Sequence, residues 1–404
     1  MSRPSTLLAI LFLLTTLAFP QNSNLQAATP KKATTDTKPG GNPIRLCLPP
    51  VIYAVVGDEA NIYFDNVMLT VNPRNYVVDV NCPRGSQQVE RWTYRPAAGQ
   101  EGEYPLTLTV LDEQNRIVAK AKTTLKVVAA AAGSGQDVSL LVIGDSLTHA
   151  SVTTAHLLKL FARKGNPKFS LVGSFHPLDP SGKNSHEGYG GWTAALFATR
   201  YLGESKRGGS PAGGSPFIYG RADGGSELDF TKYYKEHNNG RPTDFVTILL
   251  GCNDTFGTND AGIETTVAGM LSHFDALIAA IHKASPATKI GVMLTVPPAA
   301  TQDAFAANYT CGQTRWQYKR NQHRAVERLL KKYSNREKEN IFVVPSEVNL
   351  DCQNGFPSVS TAHNAQAAGK CVRLSNGVHP SAAGYRQIGD SEFAWLKACL
   401  AGGK

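Results

Sequence analysis

Between residues 43 and 128, apolar and polar positions alternate in short runs separated by turn-forming residues. Residues 61–64, 68–71, 76–80, 91–94, 106–111 and 117–128 each read as a strand with one buried face. About seven such strands in under ~100 residues predict a small all-β sandwich of immunoglobulin-like type. The run Ala-Ala-Ala-Ala-Gly-Ser-Gly-Gln at 129–136 has linker composition, so the boundary is drawn at 129–137. From 138 to 404 the pattern changes. Apolar runs at 138–143, 169–172, 245–250, 290–295 and 341–344 alternate with helical periodicity at 151–163, 263–283, 315–333 and 382–400. That alternation predicts an α/β domain whose parallel sheet is covered on both faces. Residues 206–226 are rich in Gly with few apolar positions and are expected to form a loop near the substrate.

The start of the chain changes the picture of where the protein works. Arg3, the apolar stretch 7–19 and a small-residue site at Leu25-Gln26-Ala27 read as a secretory signal over 1–27. Residues 28–42, rich in Lys, Thr, Pro and Gly, read as a flexible tether. The apolar stretch is short for a membrane span and no later one is longer, so stable membrane insertion is not expected. The expected location is secreted or periplasmic.

Charge adds little. The 404 residues carry a formal net charge of +9, spread along the chain with no dense Lys/Arg block, which argues against nucleic acid as partner. Seven cysteines suit an oxidising compartment, and Cys47 with Cys82 and Cys352 with Cys371 are the expected disulfides. Their spacing matches no zinc template, and Cys252 reads as a buried small hydrophobe. Trp92, Tyr63 and Tyr94 of the first domain read as core packing rather than a ligand platform.

Candidate chemistry sits where apolar strands end. The run 140–143 stops at Gly144-Asp145-Ser146-Leu147, so Ser146 falls in a strand-to-helix turn, exposed on rigid scaffold beside unpaired backbone N–H groups. Another strand ends in Gly251-Cys252-Asn253-Asp254, where Asn253 can donate an amide hydrogen bond into the same crevice. The turn Gly188-Tyr189-Gly190-Gly191-Trp192-Thr193 offers the Gly191 N–H. Near the end, Asn376-Gly377-Val378-His379 precedes a helix and places His379 as a general base. Each piece alone has an ordinary reading as cap, turn or surface residue. Together, in the order nucleophile, donors, base, they argue for a site.

On these four motifs the chain from about 138 to 400 resembles the SGNH hydrolase family, also called GDSL esterases or lipases. The resemblance implies a flavodoxin-like three-layer α/β/α domain. It makes Ser146 the nucleophile, Gly191 and Asn253 the oxyanion donors with the Ser146 N–H, and His379 the base. No metal or organic cofactor is implied. One position departs from the family pattern: Asn376 stands where the family usually has an aspartate that orients the histidine. The acid role is therefore open, between a Ser–His dyad and another carboxylate such as Asp351 or Asp390. The family acts on lipid esters, thioesters and acetylated sugars. Export and an appended β-sandwich resemble bacterial carbohydrate esterases, and the polar and aromatic loop residues (Tyr189, Trp192, Tyr219, Tyr309, Trp316) read either as favouring a sugar over a long acyl chain or as packing. The expected activity is hydrolysis of acetyl or other short-chain esters on a carbohydrate. Polysaccharide O-acetyl transfer, lysophospholipase-type lipid hydrolysis and non-catalytic carbohydrate binding at the cell envelope are the alternatives.

Overall fold

In a computed structural model, residues 44–402 are described; the expected leader and tether lie outside them. The first part forms two main sheets and a small antiparallel pair, Arg45–Leu46 with Met68–Leu69. The strands Val51–Val55, Ile117–Val128, Gly102–Leu111 and Val77–Asn81 make one sheet in that spatial order, and Ala60–Tyr63, Arg91–Tyr94 and Ser86–Gln87 make the other. Alternation along each strand turns one face inward, so Ile62, Trp92, Leu106, Leu108, Val110 and Leu125 share a core. Trp92, Tyr63 and Tyr94 are all buried there.

The second part is a parallel sheet between helices. Its strands lie in the order Lys168–Val172, Asp137–Gly144, Phe245–Leu249, Lys289–Met293, Ile341–Val344, which is 2-1-3-4-5 in chain order. Near-continuous apolar strands are what such a sheet requires, since both faces are covered. Helix Ile263–Ala284 packs on one face with Leu277 and Ile281. Helices Val152–Phe161 and Ala382–Ala401 cover the other, with Leu157, Ile388 and Trp395. Strand order reverses between Asp137–Gly144 and Phe245–Leu249, the place where α/β folds open a crevice.

The two parts are joined more closely than a linker implies. Ala129–Gln136 is a succession of hydrogen-bonded turns, and Lys397 of the last helix donates to Asn166 Oδ1 at 2.6 Å and to the Ala132 carbonyl. Val348 of the second part is buried in the core of the first two sheets. Asn66 donates to the carbonyls of Glu347 and Leu350 at 2.8 and 2.7 Å, and Asn61 N–H to Asn349 Oδ1 at 3.1 Å. No helix among the described residues is long and apolar enough to cross a membrane.

The expected disulfides are absent. All seven cysteines are free thiols. Cys47 is buried against His323, and the Cys352 thiol donates to Asn66 Oδ1 at 3.2 Å, so both thiols face groups across the junction rather than the expected cysteines. Sequence spacing carries no information on that placement.

Candidate active site

Strand Asp137–Gly144 ends at the middle of the reversal point. Gly144 lies opposite Gly188 on one side and Leu249 on the other. Close approach there excludes side chains: a Cβ on Gly188 would stand 2.6 Å from Thr148 Cγ2. Asp145, buried, caps the short helix Ser146–His149 by accepting from Leu147 N–H at 2.9 Å and accepts from the Cys252 thiol at 2.8 Å. Burial pushes its carboxyl up to about 6. Ser146 is half-buried at the head of this helix, and its Oγ lies 2.8 Å from Nε2 of His379.

The two other blocks leave their strands alongside. Tyr189 to Trp192 forms a turn closed by Trp192 N–H to the Tyr189 carbonyl, with Gly191 at φ +79°, a conformation that favours glycine at this turn position. Gly191 is exposed, and a Cβ there would meet nothing within 4 Å. The next block ties this turn down. Asn253 Nδ2 donates to the Trp192 carbonyl at 3.0 Å, and the Asp254 carboxylate accepts from Ala194 N–H at 3.1 Å. One amide proton of Asn253 is thereby committed, leaving the second for another acceptor. Burial, with Asp145 adding repulsion, pushes Asp254 up to about 7.

The base comes from a separate loop. Asn376 Oδ1 accepts the backbone N–H groups of Val378 and His379 at 3.1 and 2.8 Å, so its side chain shapes the loop as an Asx turn. No hydrogen bond to His379 Nδ1 is present among the described residues. The Asn376 carbonyl is spent on backbone, not on the ring. Neither carboxylate considered as a substitute reaches the ring. Asp351 accepts from Gln353 and Asn354, and Asp390 pairs with His156 Nε2 at 2.7 Å. Burial holds the His379 imidazole below its ordinary value, which keeps the ring neutral and able to accept a proton.

Residues that sequence reasoning missed brace this arrangement. His186 is fully buried and its Nδ1 accepts from Gly188 N–H at 3.0 Å, so its Nε2 carries the proton donated to Ser151 Oγ at 2.8 Å. Burial, followed by repulsion from His149 and His176, lowers it to about 3, so it stays neutral. Ser151 donates in turn to the His149 carbonyl at 3.0 Å, and His149 Nδ1 accepts from Gly190 N–H at 3.3 Å. Behind the same turn, buried Glu187 accepts from Ser174 N–H and Tyr233 OH, both at 2.6 Å, and from Tyr189 OH. In the sequence, His186-Glu187 lacks the second histidine of a zinc-protease motif and carries no other signal. Its bracing partners are far apart in the chain.

The loop aromatics are largely core. Tyr189, Trp192 and Tyr219 are at most 3% exposed and pack with Phe197 and Phe217. Tyr309 and Trp316 are half-buried.

A model of the GDSL-like Lipase/Acylhydrolase family matches residues 142–387, which is 246 of the 404 residues and includes all the blocks above. No curated protein matches the chain. Among solved structures, a carbohydrate acetylesterase family member from Sinorhizobium meliloti is similar at 16% identity, covering 66% of this chain and 99% of its own, with a TM-score of 0.36. An acetylxylan esterase from Geobacillus stearothermophilus is similar at 14% identity, over 68% of this chain and 97% of its own, with a TM-score of 0.32. An acetyl xylan esterase is similar at 14% identity, over 64% and 100%, with a TM-score of 0.34.

Proposed function

The chain belongs to the GDSL-like lipase/acylhydrolase family, and from that premise we propose that it is an exported serine esterase removing acetyl or other short acyl groups from a carbohydrate. The observation that carries the reading is the 2.8 Å contact between Ser146 Oγ and His379 Nε2 at the point where strand order reverses. Ser146 Oγ attacks the ester carbonyl carbon while His379 Nε2 takes its proton. The N–H groups of Ser146 and Gly191 and the free amide proton of Asn253 receive the oxyanion, each donor being worth about 3 kcal/mol in the transition state. His379 returns the proton to the leaving alcohol. A water molecule, deprotonated by the same ring, then releases the acid and restores the serine.

His379 works in this reading as half of a dyad. Its loop is set by Asn376 through backbone N–H groups, and burial alone keeps the ring neutral. The rim is compatible with a short acyl group carried on a large polymer. Gly191 opens on empty space, so a pendant acetyl group presented from outside can reach Ser146 without an apolar tunnel. The signal-like residues 1–27 support action outside the cytoplasm. With the seven strands of the two main sheets numbered in chain order from Val51–Val55, the spatial order 1-7-6-3 opposite 2-5-4 supports an immunoglobulin-like assignment.

The test is release of acetate by the mature protein and its Ser146→Ala variant from p-nitrophenyl acetate, a long-chain analogue and a panel of acetylated polysaccharides. Ser146-dependent release from a polysaccharide and from the short ester supports the proposal. Release from the long-chain ester alone would move it to lipid esters, and acetyl groups appearing on an added oligosaccharide instead of as free acetate would make it a transferase. A folded protein with no turnover on any substrate would leave carbohydrate binding as the function.

A further inference from the structure

At the junction of the two parts, Cys47, on the segment that follows strand Arg45–Leu46, meets His323 and Glu327 of helix Arg315–Tyr333. The histidine and glutamate are one helical turn apart and so lie on one face. Cys47 Sγ is 3.4 Å from His323 Nε2, and His323 Nε2 is 3.6 Å from Glu327 Oε1. All three donor atoms lie within 4.8 Å of one another. Bond lengths of about 2.3 Å to sulfur and 2.0–2.2 Å to nitrogen and oxygen, at tetrahedral angles, place neighbouring ligands about 3.4–3.6 Å apart. Two edges of the cluster already have that length.

A second observation comes from Glu347. It is 2% exposed, and neither carboxylate oxygen has a hydrogen-bond partner. It lines the same small cavity as His323, whose wall also carries the unpartnered Gln322 Oε1 and Thr295 Oγ1. A buried carboxylate left wholly unbonded calls for a missing cation or water. Around the cluster, Arg45 donates to Glu327 through Nε at 2.7 Å and Arg324 through Nη1 at 2.8 Å, the outer hydrogen bonds that commonly hold a ligating carboxylate in place.

We propose that Cys47, His323 and Glu327 bind a zinc ion, with water in the fourth position and buried Glu347, in the cavity beside His323, as an outer carboxylate, and that this ion fastens the first two sheets to the hydrolase domain. A thiolate, an imidazole and a carboxylate form a donor set suited to zinc rather than to calcium or magnesium. Binding forms the zinc–sulfur bond and releases the Cys47 thiol proton to solvent, with no change of oxidation state. The site joins residues 276 positions apart, so no local spacing in the chain announces it.

The experiment is zinc content of the full mature protein, produced with zinc and dialysed, beside Cys47→Ser, His323→Ala and Glu347→Gln. About one zinc per chain is expected in the wild type, less than about a tenth of that in the first two variants, and at least tenfold weaker zinc affinity in the third. Cobalt substitution should give a thiolate-to-cobalt charge-transfer band that Cys47→Ser lacks. In the wild type, zinc but not magnesium should raise the melting temperature, a readout independent of ester hydrolysis and of any variant's folding. Zinc absent from the wild type, or retained equally by Cys47→Ser, would overturn the proposal.

Discussion

The two halves of the candidate site are built to different standards. The nucleophile and donor half is braced from several directions. Asp145, His186, Glu187 and Asp254 are fixed by hydrogen bonds to the strand ends or to the turn around Gly191. The base half hangs on a loop whose shape depends on Asn376 accepting two backbone N–H groups, and no described group holds the far side of the imidazole. The difference teaches which half must be immobile. Oxyanion donors act only if they already point at the developing charge, whereas a base that takes a proton and gives it back tolerates small motion.

Removing either member of the contact tests both halves at once. Ser146→Ala and His379→Ala should each lower kcat by roughly 10⁴–10⁶, and the double variant should be no slower than the slower single one, because residues acting as a unit are not additive. Initial rates on p-nitrophenyl acetate read this directly. If the two losses multiply instead, the serine and histidine do not act together.

The braced half is tested next by Asn253→Ala, which should cost about 10²–10³ in kcat with little change in KM, as for other lost oxyanion donors. A rise in KM alone would recast Asn253 as a substrate-binding residue.

A smaller effect should come from the base half. Asn376→Asp keeps the acceptor for the two N–H groups and adds a negative charge near His379. Its expected effect on kcat/KM is less than about tenfold. Serine proteases lose about 10⁴ when the triad aspartate becomes asparagine, so a gain of that order would identify a damaged triad rather than a dyad.

The gentlest probe is pH. Burial depresses the His379 pKa, so the neutral ring persists to lower pH than a free imidazole and is lost only as pH falls through the depressed value. The acidic limb of kcat/KM should therefore have its midpoint below about 6.5. Asn376→Asp should move that limb upward, because a nearby negative charge favours the protonated ring. A limb at or above 6.5 in the parent protein would mean that an unseen anion already faces His379.

Strand and helix positions were largely legible because the buried parallel strands are short apolar runs and the helices keep a 3.6-residue period. The motif serine and asparagine were legible because each ends such an apolar run, and the histidine because it stands just before a helix. The bracing was not. His186 reaches Ser151 and Glu187 reaches Tyr233, contacts 35 and 46 residues apart that no periodicity encodes. The loop aromatics were open between sugar contact and packing for a related reason: Trp192 and Tyr219 lie between irregular segments yet point into the core, where large rings fill space under long loops. The cysteines failed as disulfides because their neighbours are set by how the two parts meet, not by chain distance.

That meeting also sets an order in time. Asn61 bonds to Asn349 and Asn66 to the Glu347 carbonyl, contacts that span 288 and 281 residues. The sheets are made before the second part, yet the apolar surface that Val348 covers stays open until residue 348 has been made. Contacts of such separation form late and slowly. A stretch made at the beginning is thus finished by one made near the end, and whatever escorts the chain in between must keep that surface from finding another partner.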